Sequence, residues 1–255
     1  MIGPVYDRAV IGRMLPQGWT DLLRQLVLFC GAYWLYRLVR GQISDRTIDA
    51  FENARHIVAA ERSLGLFVEP AVNRWAEASG WIAGAASWMY VNSHFAITTA
   101  ALAYLYLRRN EHFYFVRNMF MVAMAIALVG YLVFPTAPPR LLPGLGFRDS
   151  VAQFTGVDAH TANLLVNPYA AVPSMHVAFA LMLAGSMART ARRGWARALW
   201  VTYPVLVAFT VVATANHWWI DAALGATTAA LSAVAAQALL ARARPHAWAW
   251  QPAHA

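Results

Sequence analysis

Lysine is absent from the 255-residue chain, so every one of its positive side chains is an arginine, a cation that does not lose its proton in a protein. Cysteine occurs once, as Cys30 inside an apolar run, which excludes an intramolecular disulfide and leaves the redox compartment open. Charge of both signs is scarce: 13% of residues are charged against 60% hydrophobic, and the mean hydropathy is +0.44. That balance excludes an ordinary soluble domain and predicts an integral membrane protein with no separate soluble unit. A cleavable signal peptide is not expected, because residues 1–18 hold Asp7, Arg8, Arg13 and two prolines without an apolar core. Internal repeats are lacking too, which argues against a transporter built from inverted halves. The net charge of +8 could attract nucleic acid. The arginines instead fall in short loops between apolar runs, with no basic groove, so no nucleic-acid partner is expected.

What is present is a succession of apolar runs. They predict an all-α fold: one polytopic membrane domain over 1–255, with six transmembrane helices plus amphipathic interfacial helices. The spans fall near residues 22–39, 81–107, 115–134, 172–188, 199–214 and 217–240, each about long enough for a ~30 Å hydrocarbon layer at ~1.5 Å per residue. Residues 41–80 differ in kind. Asp45, Asp49, Glu52, Glu61, Glu69 and Glu77 alternate there with Arg46, Arg55, Arg62 and Arg74, while Ile48, Phe51, Ile57, Val58, Leu64, Leu66 and Phe67 recur at helical spacing. This segment reads as amphipathic helices on the outer membrane face, or equally as a solvated cap over the bundle. In the second span Asn92, Ser93 and His94 interrupt the apolar character, and His94 reads as an interhelical hydrogen-bonding residue.

Six spans put both termini on one side. The loops 108–117, which hold Arg108, Arg109, His112 and Arg117, and 189–197 join them as the cytoplasmic face. The proline-rich run from Pro135 to Arg140, the Gly- and Pro-rich stretch after it (with Arg148, Asp149, Asp158, His160 and Asn163), His176 and His217 then share the opposite, outer face. A composition rich in Ala and Arg without lysine suits a GC-rich bacterial genome, making that face periplasmic or extracellular.

The polar groups at that face carry chemistry. His217 and Asp221 stand four residues apart, and on a helix that spacing places both on one side. A carboxylate that orients an imidazole is the arrangement of a nucleophile or base. A helix N-terminus there would keep the ring neutral and draw an anion. His176 could protonate a leaving oxygen. An arginine could clamp two phosphoryl oxygens while Ser174 and nearby N–H groups donate to the third. Two other readings compete. His217, Asp221 and His176 could be three ligands of a catalytic zinc in a metal-dependent membrane hydrolase, or the chain could be a non-catalytic lipid-binding protein with a buried, self-satisfied pair.

The runs Pro173-Ser174-Met175-His176 and His217-Trp218-Trp219-Ile220-Asp221 resemble the second and third signatures of the type 2 phosphatidic acid phosphatase superfamily. The run from Tyr131 to Arg140 (YLVFPTAPPR) resembles the first-signature region of its inositolphosphotransferase branch, that of inositol phosphorylceramide synthase. The catalytic half would then be residues 131–240. The resemblance implies metal- and cofactor-independent transfer of a phosphoryl or phospho-head group from a lipid phosphate in the bilayer, to water or to an alcohol such as an inositol-containing lipid. It implies His217 as nucleophile forming a phosphohistidine, Asp221 orienting it, His176 as acid, and Arg140, Ser174 and Met175 on the phosphate, with Arg148 a possible further cation. The sequence departs from the pattern at three places. The lysine that opens the first signature is missing, Val211 stands where the third signature has an arginine six residues before the histidine, and Met175 replaces the glycine between serine and histidine.

Overall fold

The computed structural model describes residues 15–41, 46–156 and 169–240. Asp158, His160, Asn163, Arg242, Arg244 and the side chain of His94 lie outside the described set. Among the described residues every regular element is helical, and the one β contact is an isolated bridge between Thr136 and Ala170. The helices are α1 (Gly18–Gly41), α2 (Thr47–Ser63), α3 (Glu69–Ala78), α4 (Gly80–Asn92), α5 (Thr98–Arg108), α6 (Asn110–Val133), α7 (Ser150–Thr155), α8 (Met175–Thr190), α9 (Gly194–Ala213) and α10 (Trp219–Ala235). A π-helical turn, Ser93–Ile97, joins α4 to α5, a second, Ala236–Leu240, extends α10, and Pro139–Leu141 forms a 3₁₀ turn.

Among the described residues three helices are long and apolar enough to cross a membrane: α6, α9 and the run Trp219–Ala238. The other expected spans fall short for separate reasons. α1 has the length but carries Asp21, Arg24, Arg37 and Arg40. The helical run from Gly80 to Arg108 is interrupted by its π turn, leaving Phe95–Arg108 as a shorter apolar piece. α8 has only 16 residues, about 24 Å at 1.5 Å per residue. What α8 lacks in length it has in burial. It packs against α6, α9, α10 and α5, with Phe179 stacked on Phe120 at 4.2 Å between ring centres. Large apolar side chains face outward elsewhere, among them Val27, Val129, Val133, Leu199, Val205 and Val234. An outward shell of valine and leucine is what lipid contact selects and water does not.

The loop expected at 108–117 is a single residue, Arg109, between α5 and α6. No proline or glycine stops the chain there, so Asn110 starts the next helix at once and carries Arg117 into the bundle. Arg117 is fully buried, donates to Gln25 and to Asn118, and lies over the Tyr114 ring. Asp21 accepts from Tyr106 at 3.1 Å and Tyr114 at 2.8 Å, so α1 is tied to α5 and α6 by a polar network.

Residues 41–80 contribute two helices whose buried faces look inward. Ala50, Ala54, Ile57 and Val58 pack in one cluster with Ala137, Leu142 and Trp218, whereas Ile48, Leu64 and Leu66 stay exposed. The segment is a cap over the end of the bundle. At the π turn the Ser93 carbonyl accepts from Thr98 Oγ1 at 2.9 Å and from Tyr203 Oη at 3.3 Å, so the widened turn is tied to α9.

Candidate active site

The site lies where α8 and α10 begin and α6 and α9 end. Gly225 makes that junction possible. A Cβ placed on it would lie 2.4 Å from the Ser174 carbonyl oxygen, so only glycine lets α10 come this close to the start of α8. Across the contact Ser174 donates its N–H to the Asp221 carbonyl at 3.0 Å. Gly130 plays the same part for α6, where a Cβ would meet Pro173 Cδ at 2.9 Å.

His217 is not in a helix, contrary to the sequence expectation; α10 begins at Trp219 with Trp218 as its cap. The chain turns out of α9 through Ala215, which has a positive φ of 54°, and both Asn216 and His217 donate their N–H groups to the Val211 carbonyl at 3.0 Å. Asp221 is the third residue of α10 and reaches back out of it. Its Oδ2 accepts from Trp218 N at 3.0 Å and lies 3.3 Å from His217 Nδ1. The pair therefore forms by capping, with the histidine in the preceding turn, and is almost wholly buried. With Nδ1 committed to Asp221, Nε2 is the nitrogen left to face a substrate.

His176, second residue of α8, stacks on Tyr90 of α4 at 4.3 Å and meets His217 edge-on, with 5.8 Å between ring centres. The two imidazoles are near enough for one phosphoryl group to touch both. Met175 is buried as the first residue of α8, and Ser174 caps it. The N–H groups of Met175, His176 and Val177 precede the first bond of that helix, Ala178 to Ser174, so no helix carbonyl reaches them. Ser174 Oγ is fully buried with no partner among the described residues, which suits a hydroxyl kept for a ligand.

Arg140 is brought into the same place. Its N–H donates to the Ala215 carbonyl at 3.0 Å, its Nη1 donates to Asn216 Oδ1, and its Nε lies 3.2 Å from Asp149 Oδ2. Nε and Nη1 are thus spent on the protein, and among the described residues Nη2 has no partner and is the nitrogen left for an anion. The proline-rich run that carries Arg140 is held by the cap and by the start of α10: Ala137 N donates to Ala50 O at 3.0 Å, Asn53 Nδ2 to Pro135 O at 2.9 Å, and Trp218 Nε1 to Ala137 O at 3.1 Å. Arg148 is placed otherwise. Its backbone exchanges hydrogen bonds with the Asn73 side chain, while its own side chain is exposed and makes no ion pair among the described residues. Val211 is fully buried in an apolar cluster with Val177, Val207 and Ala222, so the arginine missing from that position has no substitute there.

Four further residues complete the setting. Asp149 and Asn216 hold Arg140, and Glu61 and Glu69, which the sequence offers only as two charges of an amphipathic or capping segment, are fully buried against the start of α10. Glu61 Oε1 accepts from Ile220 N at 2.9 Å and Glu69 Oε1 from Trp219 N at 3.2 Å. With Asp221 on Trp218 N, three carboxyls occupy the first N–H groups of α10. The expectation that this terminus draws the substrate anion is therefore corrected: those donors are taken, and the open helix start is that of α8. Burial, then hydrogen bonding and repulsion from Glu69, pushes the Glu61 carboxyl up to about 9. Among the described residues no three His, Cys, Asp or Glu side chains converge as a set of metal ligands.

Comparison with known proteins places the chain. No curated protein and no solved structure matches it. A family model described as the PAP2 superfamily matches residues 55–235, a span that runs from α2 to the end of α10 and includes both histidines, Arg140 and the two buried glutamates. With well over half of its length matched, the chain belongs to the PAP2 superfamily.

Proposed function

We propose that this protein removes the phosphoryl group of a lipid phosphate by way of a phosphohistidine on His217 and passes it to water or to an alcohol acceptor. The observation that carries the reading is the meeting of His176 and His217 beside Arg140, three residues from separate parts of the chain. His217 Nε2 attacks phosphorus, and the P–O bond to the lipid alcohol breaks. Asp221 holds the ring by Nδ1 and balances the positive charge that develops. His176 gives its proton to the departing oxygen and then takes one from the incoming hydroxyl, so the second half-reaction retraces the first. Arg140 Nη2, Ser174 Oγ and the first N–H groups of α8 receive the phosphoryl oxygens. Neither step calls for a metal ion. The inositolphosphotransferase branch is favoured by the first-signature region around Arg140, with an inositol-containing lipid as one such acceptor.

The same reading assigns six crossings: α1, the run from α4 through α5, α6, α8, α9 and α10. Supporting it, Arg108, Arg109, Arg192 and Arg193 line one cavity of about 560 Å³ where α5 and α8 end and α9 begins, the opposite end of α8 and α9 from the histidines. The arginine end faces the cytoplasm by the positive-inside bias, and the active site faces out.

The test is turnover of labelled lipid phosphates by purified protein, with and without inositol-containing lipid. Free phosphate marks a phosphatase and a new phospholipid marks a transferase; binding without turnover overturns the proposal in favour of a lipid-binding protein. Chelators are expected to leave the rate unchanged. Replacing Arg140 by alanine is expected to raise KM and lower kcat/KM by about 10²–10³-fold, the range for loss of one preorganised donor to a developing oxyanion. An Arg140→Ala enzyme with unaltered kcat/KM contradicts that role.

A further inference from the structure

We propose that Glu61 and Glu69 are positioning residues which share a single proton and, as one unit of charge −1, hold the start of α10 so that Asp221 presents His217 to the substrate. This inference rests on the reaction proposed above, but its physical basis is separate. Both side chains are fully buried, and each gives one oxygen to a consecutive N–H of the helix, Glu69 to Trp219 and Glu61 to Ile220. The second oxygens, Glu61 Oε2 and Glu69 Oε2, are buried with no donor from any other described residue. Two carboxylates in that state repel each other, and each leaves an unsatisfied charge. One proton held between them satisfies both, and the two carboxyls stand side by side because the N–H groups they accept from, Trp219 and Ile220, are consecutive.

The groups that bear on Glu61 come from two elements besides its own: Glu69 at the start of α3 and Asp221 in α10. Asp221 in turn faces His217. Ionising the pair fully adds a second negative charge beside Asp221 and pushes the two capping side chains apart. Ile220 and Trp219 then lose their fixed acceptors, and the turn that carries His217 shifts with them. The pair also explains why the substrate anion goes to α8. The positive end of α10 is already neutralised, and phosphate meets carboxyls there in place of free N–H groups.

The sign of the pH effect follows from the raised Glu61 value. A carboxyl titrating near 4.5 when unfolded and near 9 when folded makes folding most favourable below 4.5; that contribution is lost as pH rises and is gone above about 9. Glu61→Gln keeps an amide oxygen for Ile220 N and an N–H for Glu69, so it imitates the proton-sharing pair without titrating. The experiment compares wild type with Glu61→Gln and Glu61→Leu in detergent, recording melting temperature and turnover from pH 5 to 10. Melting of the wild type should fall with pH until about 9 and then level, while Glu61→Gln shows a shallower fall. Turnover should decline reversibly above about 9 in wild type and persist in Glu61→Gln, and Glu61→Leu should lose at least tenfold at every pH. Identical pH profiles for wild type and Glu61→Gln overturn the proposal, as does a Glu61→Leu enzyme with normal turnover. The melting series needs no substrate. If no lipid phosphate is turned over by any form, the reaction assignment fails, and the difference in melting still decides the proton-sharing pair by itself.

Discussion

His217→Ala is expected to reduce turnover by about 10³-fold or more, the scale on which removal of a covalent nucleophile acts. The reason lies in how the ring is held. Asp221 fixes Nδ1, so one nitrogen is available to form the bond to phosphorus, and the same nitrogen must release the group in the second half-reaction. Alanine removes both steps. It leaves Arg140, Ser174 and the start of α8 in place, so the substrate should still bind with KM near that of the wild type. His176→Ala removes proton transfer only, and a smaller loss of about 10²–10⁴-fold is expected. Rapid-quench kinetics on the three forms separates the effects. The His176 variant should still accumulate labelled protein, provided the label is a phosphate ester with a good leaving group, and the His217 variant should not. Equal activity of wild type and His217→Ala would remove the nucleophile from the account.

Gly225→Ala is expected to be nearly as damaging, although the residue touches no substrate. Its new Cβ would lie 2.4 Å from Ser174 O, 3.2 Å from Ser174 C and 3.3 Å from Val177 Cβ. Two of these are backbone atoms and cannot swing aside, so α8 and α10 must separate. Overpacking of this kind costs about 1–3 kcal/mol and at times more. The separation acts directly on the Ser174-to-Asp221 hydrogen bond and on the distance between His176 and His217. A displacement near 1 Å at a reacting centre can cost about 10²-fold in rate. Melting in detergent and turnover on the same sample should therefore both fall. A fully active Gly225→Ala protein would show that the close approach of the two helices is not what builds the site.

The convergence of His176, His217 and Arg140 was legible in the sequence because a membrane leaves few choices. If each apolar run crosses and successive crossings alternate, with arginine marking one side, the proline-rich run and both histidines are expected together at the other. The turn around His217 was less legible. Its break comes from Ala215 at positive φ and from two N–H groups sharing the Val211 carbonyl, with no glycine or proline to announce it. Asn216, a residue that favours turns, was the available signal. The burial of Glu61 and Glu69 is illegible for a different reason. They sit in a segment where acids and arginines alternate, which looks like a solvated face, and burial is decided by what packs on a helix, which its own period does not reveal. Their spacing of eight residues across a helix break gave no pattern to find. Arg117 reads as a loop cation in the sequence, and the short turn at Arg109 carries it inside. Arg148, offered by the sequence as a further cation for the phosphate, binds Asn73 through its backbone and leaves its side chain exposed.

The most direct test is capture of the phosphoenzyme. Protein mixed with a lipid carrying ³²P in its phosphate group, quenched within milliseconds in alkali and digested, should yield label on the peptide containing His217. That label should survive base and be released by acid, as a phosphorus–nitrogen bond requires. Multiple turnovers of the lipid with no protein-bound label at any quench time, or label that resists acid, would contradict a phosphohistidine at His217.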